Sequence, residues 1–291
     1  MNFAWVLRRW MAQQASANLR ERAAQAVQQG LGAQSGAEEA TPGVPPRCDV
    51  GIVFALVEES GGTEDLLSAA VTTKGDGFVL RQGLLAERNV VLIRAGAGRV
   101  AAARATQALI GGHRPEWVIS AGFAGGLQPA LRRGDIVMAN EVLDISSRRL
   151  ALDLQAASDP RAGLHVGRLL TVDQIIREPA EKAALGQTHQ ALAVDMESWA
   201  VGEVCRQDKV RFMAIRVISD SVEDALPADL GRLMAPKSTA GRVGAVAGTL
   251  FRRPSSIKDM LRLREEALIA SDRLAKFLAN VVQQLAPGRA P

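Results

Sequence analysis

Tyrosine is absent from the 291 residues and aromatics make up only 4%, which leaves few rings on which nucleic-acid bases could stack. The two cysteines, Cys48 and Cys205, are too few for a disulfide scaffold and lack zinc-ligand spacing, which fits a reducing compartment. His113, His165 and His189 are scattered and read as surface or capping residues, so no metal is implied. No apolar run approaches the roughly 20 residues that span a bilayer. The N-terminal MNFAWVLRRWMAQQ leads into neither a signal-type apolar segment nor a small-residue cleavage site. A G-x-S-x-G elbow for serine hydrolysis is also missing. These absences exclude a membrane-spanning protein, a disulfide-stapled domain and a zinc module, and make a cytoplasmic protein without a cofactor the expectation.

What is present is an ordinary globular composition, 47% hydrophobic and 23% charged, at a length suited to one large domain. The net charge of +4 is uneven. Residues 1–47 carry 5 basic and 3 acidic side chains and residues 225–291 carry 11 and 5, leaving 19 and 23 between them. A nucleic-acid binder concentrates its basic residues on the folded body, so nucleic acid is not expected as a partner. The basic tails are still able to touch an anionic membrane surface.

Residues 1–30 are helix-prone, and GLGAQSGAEEATPGVPPR reads as a linker, so 1–47 form a helical extension and linker and the catalytic domain spans 48–291. Within it, apolar runs (CDVGIVFAL, NVVLIRAG, EWVISAG, GDIVMANEVL, ALAVDM, RFMAIRVIS) alternate with helical stretches (AAARATQALIGG, SWAVGEVCRQ). Strands that are apolar throughout are buried on both faces, which calls for helices on either side of a sheet, an α/β architecture. The C-terminal part, 225–291, reads as helical and broken at Arg252, Arg253 and Pro254.

Two glycine clusters, AGAGRVAAA (95–103) and SAGFAGGL (120–127), read as turns at strand ends that converge on one crevice. The first has the form of a dinucleotide turn, but no ribose-binding acid ends the next strand. Acidic residues close three apolar runs: Glu58 and Glu59, then Asp195 and Glu197, then Asp220. A single acid in such a place is usually a cap or a solvated turn. Three sets beside two glycine turns suit cleavage of a glycosidic bond, in which one carboxyl protonates the leaving group, one directs water and one holds a sugar hydroxyl.

In this order GIVFALVEES, AGAGRVAAA, SAGFAGGLQPALRRGDIV, ALAVDMES and RVISD resemble the nucleoside phosphorylase and hydrolase superfamily, over about residues 49–224, and within it the methylthioadenosine/S-adenosylhomocysteine nucleosidases. The resemblance implies that Glu59 activates the attacking water, that Glu197 and Met196 hold the ribose, and that Asp220, beside Ser219, protonates the purine N7. It also implies a single three-layer domain with a central mixed sheet flanked by helices, that Ala97, Phe123, Ala124, Gly125, Ile175, Ile176 and Asp195 border the substrate, and that the protein is a homodimer. An acid at N7 must keep its proton near neutral pH, so Asp220 is expected to be buried enough to do so.

Phosphorolysis would need a dianion held by arginines and polar donors. Phe123 stands where relatives carry serine or threonine, and Glu59 would repel phosphate. Arg94 and Arg99 are the candidates to offset this, although both also read as surface charges, and water is the expected nucleophile. Some features differ from the usual nucleosidase. Ile175 and Ile176 replace an aromatic, Asp195 replaces glutamate, and GRVGAVAGTLFRRPSSIKDMLRLREEAL is an added element. With AEKAAL they are similar to hopanoid-associated phosphorylases, which act on an adenosyl group attached to a lipid. The alternatives are therefore that phosphorylase activity, or a non-catalytic nucleoside-binding module.

Overall fold

The computed structural model describes residues 47–75, 77–152, 156–227 and 255–285, the last with side chains from Glu265 onward. The expectations for residues 1–46 and for the first half of the added element, 241–254, lie outside them.

The apolar runs form the middle of a ten-stranded mixed sheet. Strand β1 (Val50–Phe54) is buried along its whole length and lies parallel to both β4 (Arg88–Arg94) and β5 (Trp117–Gly126). Its side chains alternate between faces, as the two-residue period of a strand requires. Val50, Ile52 and Phe54 pack with Leu92, Ile119, Leu274 and Leu278. Val53 packs on the other face with Val91, Ala102, Ala105 and Leu109. Two helices therefore sandwich the sheet: α2 (Arg99–His113) on one face and the C-terminal helix α5 (Ser255–Gln284) on the other. The Ala-rich face of α2 allows a close approach, and a Cβ on Gly51 would meet Leu109 Cδ2 at 2.6 Å. Helix α5 buries Ala270, Leu274, Leu278 and Val282 at helical spacing, and the expected break at Arg252, Arg253 and Pro254 lies outside the described residues.

The strands β2 (Ser68–Gly75) and β3 (Phe78–Leu85) extend the sheet antiparallel beyond β4. On the other side β5, β10 (Arg211–Asp220), β6 (Ile136–Asp144), β8 (Leu164–Thr171) and β9 (Ala193–Asp195) close into a ring, because β5 pairs with both β10 and β9. The short β7 (Arg149–Ala151) hangs on β6. The other helices are α1 (Val57–Leu66), α3 (Pro179–His189) and α4 (Ser198–Gln207). Among the described residues no helix is long and apolar enough to cross a membrane.

One edge of β5 places the site. Strand β1 leaves it after Ser120, and β9 joins it only at Gly125. The gap opens at the carboxyl end of β1, the usual place for a ligand crevice in a sheet of this kind.

Candidate active site

In the gap on β5, the Phe123 N–H donates to Glu59 Oε1 at 2.9 Å instead of to a strand. Glu59 is not at a strand end as expected. Strand β1 stops at Phe54, and Glu58 and Glu59 lie in the first turn of α1. The second carboxylate oxygen of Glu59, Oε2, accepts the Ala55 and Leu56 amides at 2.9 and 2.8 Å. Three of its roughly four acceptor positions are thus filled by fixed backbone donors. The side chain is buried, and burial pushes its pKa above the ordinary carboxylate value against those amides and Arg216.

This arrangement explains SAGFAGGL, and it corrects the expectation of a second glycine turn. Residues 120–126 are strand, not turn. Glycine is required because side chains press on the strand: a Cβ on Gly122 would meet Glu59 Oε1 at 2.5 Å, and one on Gly125 would meet Asp220 Oδ2 at 3.1 Å. The first cluster is a turn as expected, with Gly96 and Gly98 at φ values of 87° and 94° that side chains rarely adopt. The Gly98 N–H donates to Glu197 Oε1 at 2.7 Å. Ala97, between the two glycines, is exposed.

Glu197 occupies the N-cap position of α4 without a side-chain bond to the helix, and is half-buried beside Met196. Burial, with Asp195 and Glu59 nearby, pushes its pKa up to about 7. In an unfolded chain the same carboxyl would ionise near 4.5. The folded state therefore binds the proton more tightly, and stability falls as pH rises between those values. Glu197→Gln keeps an oxygen for the Gly98 amide and removes this cost. Its melting temperature should exceed that of the unaltered protein at pH 8, by the equivalent of roughly 1–3 kcal/mol, with no difference near pH 4. Thermal melts at the two pH values check this, and equal stability at pH 8 would contradict it.

Asp195 was expected to border the substrate, but its oxygens are already taken. Oδ1 accepts the Thr171 hydroxyl at 2.7 Å, and Oδ2 accepts Arg216 Nε and Nη2 at 2.9 and 2.6 Å and the Ser198 amide at 3.0 Å. Arg216 also donates to the hydroxyls of Ser120 and Ser198, both at 2.8 Å. The cluster joins β5, β8, β9, β10 and the start of α4, so Asp195 and Arg216 fix the base on which Glu197 stands. Ile176 likewise packs in the core with Leu127, Leu170 and Val172 rather than lining an opening, while Ile175 is half-buried.

Asp220 ends β10 and is buried. Its Oδ1 accepts the Ser219 hydroxyl at 2.6 Å, and that hydroxyl also lies 3.2 Å from the Ala124 carbonyl. Its Oδ2 faces the ammonium of Lys182, a wholly buried residue of α3. Burial alone, the sequence-based expectation, therefore does not describe this acid, because a counter-charge accompanies it. Lys182 and Arg216 were not singled out from the sequence. Arg216 signalled itself only as a lone basic residue inside the apolar RFMAIRVIS, and Lys182, beside Glu181 in AEKAAL, reads as an ordinary surface residue of a helix.

The arginines considered for phosphate are both engaged with acids. Arg94 lies 3.5 Å from Glu64, which also meets Arg81 at 3.0 Å. Arg99 Nε lies 2.7 Å from Asp173, and its Nη2 donates to the Thr171 carbonyl at 2.9 Å.

The chain is similar to known proteins over most of its described length. The family model described as "Phosphorylase superfamily" matches residues 49–160 and 146–250. A 5′-methylthioadenosine/S-adenosylhomocysteine nucleosidase of Aeromonas salmonicida is 33% identical over 196 residues, 59% of this chain and 85% of that protein. One of Bacillus cereus is 31% identical over the same shares. The crystal structure of the Neisseria meningitidis nucleosidase with methylthio-immucillin-A superposes at a TM-score of 0.61 and 22% identity, covering 81% of this chain and 98% of that one. That of the Colwellia psychrerythraea enzyme with adenine gives 0.60 and 22%, covering 82% and 96%. With matches across most of the described sheet and relatives above 30% identity, the chain belongs to the phosphorylase superfamily.

Proposed function

We propose that this protein is a nucleosidase that cleaves the N-ribosidic bond of an adenine nucleoside with water, in the manner of the methylthioadenosine/S-adenosylhomocysteine nucleosidases to which it is similar. The observation that carries the reading is the set of three carboxyl groups gathered at the β5 gap: Glu59 in its amide cage, Glu197 on the Gly98 amide, and Asp220 at the end of the neighbouring strand β10. Glu59 has one acceptor position left for a proton from water, and its raised pKa suits a base. Glu197 has a free oxygen for ribose hydroxyls. Asp220 serves the purine N7, so that adenine leaves neutral. As the bond breaks, the sugar becomes an oxocarbenium-like cation, which the buried carboxylates stabilise electrostatically. Met196, Phe123, Ala124, Gly125, Ala97, Ile175 and Ser219 are read as the walls of the pocket.

Water rather than phosphate fits the engaged state of Arg94 and Arg99 and the presence of buried Glu59 where a dianion would sit. By resemblance the protein is further read as a cytoplasmic homodimer. The test is adenine release by the purified protein from methylthioadenosine, S-adenosylhomocysteine and a 5′-alkyl adenosine analogue. Release from the first two without added phosphate is the expected result. Release only from the alkyl analogue, or only with phosphate, would move the protein to the lipid-linked phosphorylases, and no release at all would leave a nucleoside-binding module.

A further inference from the structure

Lys182 is one of the largest wholly buried side chains, and the mechanism above gives it no task. An ammonium has three protons to donate, and here each has an acceptor: Asp220 Oδ2, the Ser221 carbonyl at 3.0 Å and the Asp224 carbonyl at 2.8 Å. The cradle is itself anchored, since Asp224 Oδ2 accepts the Ser221 amide at 2.7 Å and Arg133 Nε at 2.9 Å. Its contact with Arg133 holds the Asp224 carboxyl well below the usual range, so it stays ionised and in place. A buried charge is retained only where partners and geometry compensate its desolvation. A lysine aimed at the candidate acid, with no solvent path of its own, is placed to act on that acid.

We propose that the proton delivered to the purine comes from the Lys182–Asp220 pair, with Lys182 as the positioning residue that supplies Asp220. The inference rests on the nucleosidase reading. In the resting pair Lys182 is an ammonium and Asp220 a carboxylate. During reaction the N–H bond of Lys182 breaks and its proton passes to the Asp220 carboxyl. The carboxyl passes a proton to N7, forming the N7–H bond while the N9–C1′ electron pair moves into the purine. Water adds to C1′ and gives its proton to Glu59. Lys182 ends neutral and Asp220 ends as a carboxylate accepting from N7–H; after the products leave, Glu59 gives its proton to solvent and Asp220 takes one from solvent and returns it to Lys182. The electrostatics agree with the chemistry, because a positive charge disappears from the site as the sugar acquires one.

Lysine can give up its proton in a buried site, whereas arginine keeps the charge and does not. The experiment measures adenine release by K182M, K182R, D220N and K182M/D220N, alongside cleavage of a p-nitrophenyl riboside, whose phenolate leaves without being protonated. K182M and K182R should each lose at least a hundredfold in adenine release and far less on the p-nitrophenyl riboside, which also reports that the site is folded. K182M should add less than threefold to the loss caused by D220N, since it acts only through Asp220. Recovery of adenine release by K182R to within fivefold of the unaltered protein would overturn the proposal, as would a further tenfold loss in K182M/D220N. Should either single lysine variant fail to fold, the double variant, which removes both charges together, decides. Absence of adenine release by the unaltered protein would overturn the nucleosidase reading itself. Normal release with a rescuing K182R overturns this inference alone.

Discussion

Asp220→Asn is expected to lower adenine release by about a hundred- to ten-thousandfold, the usual cost of losing a positioned general acid. An amide at this position still accepts the Ser219 hydroxyl but has no proton acidic enough for N7 and no charge to offer Lys182. The ammonium would keep its two backbone carbonyls and at best a neutral amide oxygen, an incompletely compensated buried charge. The variant should therefore keep the native circular dichroism spectrum and melt at a lower temperature. Activity within threefold of the unaltered protein would remove Asp220 from its role.

Glu59→Gln should be as damaging, for a reason the amide cage makes specific. Both oxygens of Glu59 face N–H donors, Phe123 on one side and Ala55 and Leu56 on the other. A glutamine must point its NH2 at one of these, donor against donor, whichever way it is flipped. The variant thus loses the base and strains the junction of β1 with α1. A fall in kcat of at least a hundredfold is expected, with a smaller change in KM, because the lost interaction is made to water in the transition state. The check is steady-state kinetics on any nucleoside the unaltered protein turns over, and near-normal kcat would contradict the assignment. Ser271 of α5 supports the same turn, donating to the Glu59 carbonyl at 3.2 Å and accepting the Gly62 amide at 3.0 Å. The C-terminal helix is thereby tied to the turn that carries Glu59.

How far the sequence disclosed this arrangement depended on whether a signal was local. Strands β1, β4, β5, β6 and β10 are apolar because they are buried on both faces, and that pattern is visible without a structure. Strand β2, SAAVTTKG, is exposed along its length and held by pairing with β3, so composition carried no trace of it. Strand β8, LHVGRLLT, was hidden by a glycine and an arginine at its centre. Glycine misled at 120–126: the eye reads turns there, whereas the strand lacks side chains because Glu59 and Asp220 occupy that volume. The three carboxyl groups were legible as a set, since each follows an apolar run. Their supports were not, because Lys182 meets Asp220 across 38 residues and Arg216 meets Ser120 across 96, distances over which no spacing rule operates. For the same reason Asp195, a plausible ligand by position, turned out to face Arg216.

The most direct test of the account is to run the reaction on methylthioadenosine in 18O-labelled water, once without and once with phosphate, and to weigh both products. The account predicts unlabelled adenine together with a free sugar two mass units heavier at its anomeric hydroxyl. A sugar 1-phosphate formed only when phosphate is supplied, carrying no label from water, would contradict it.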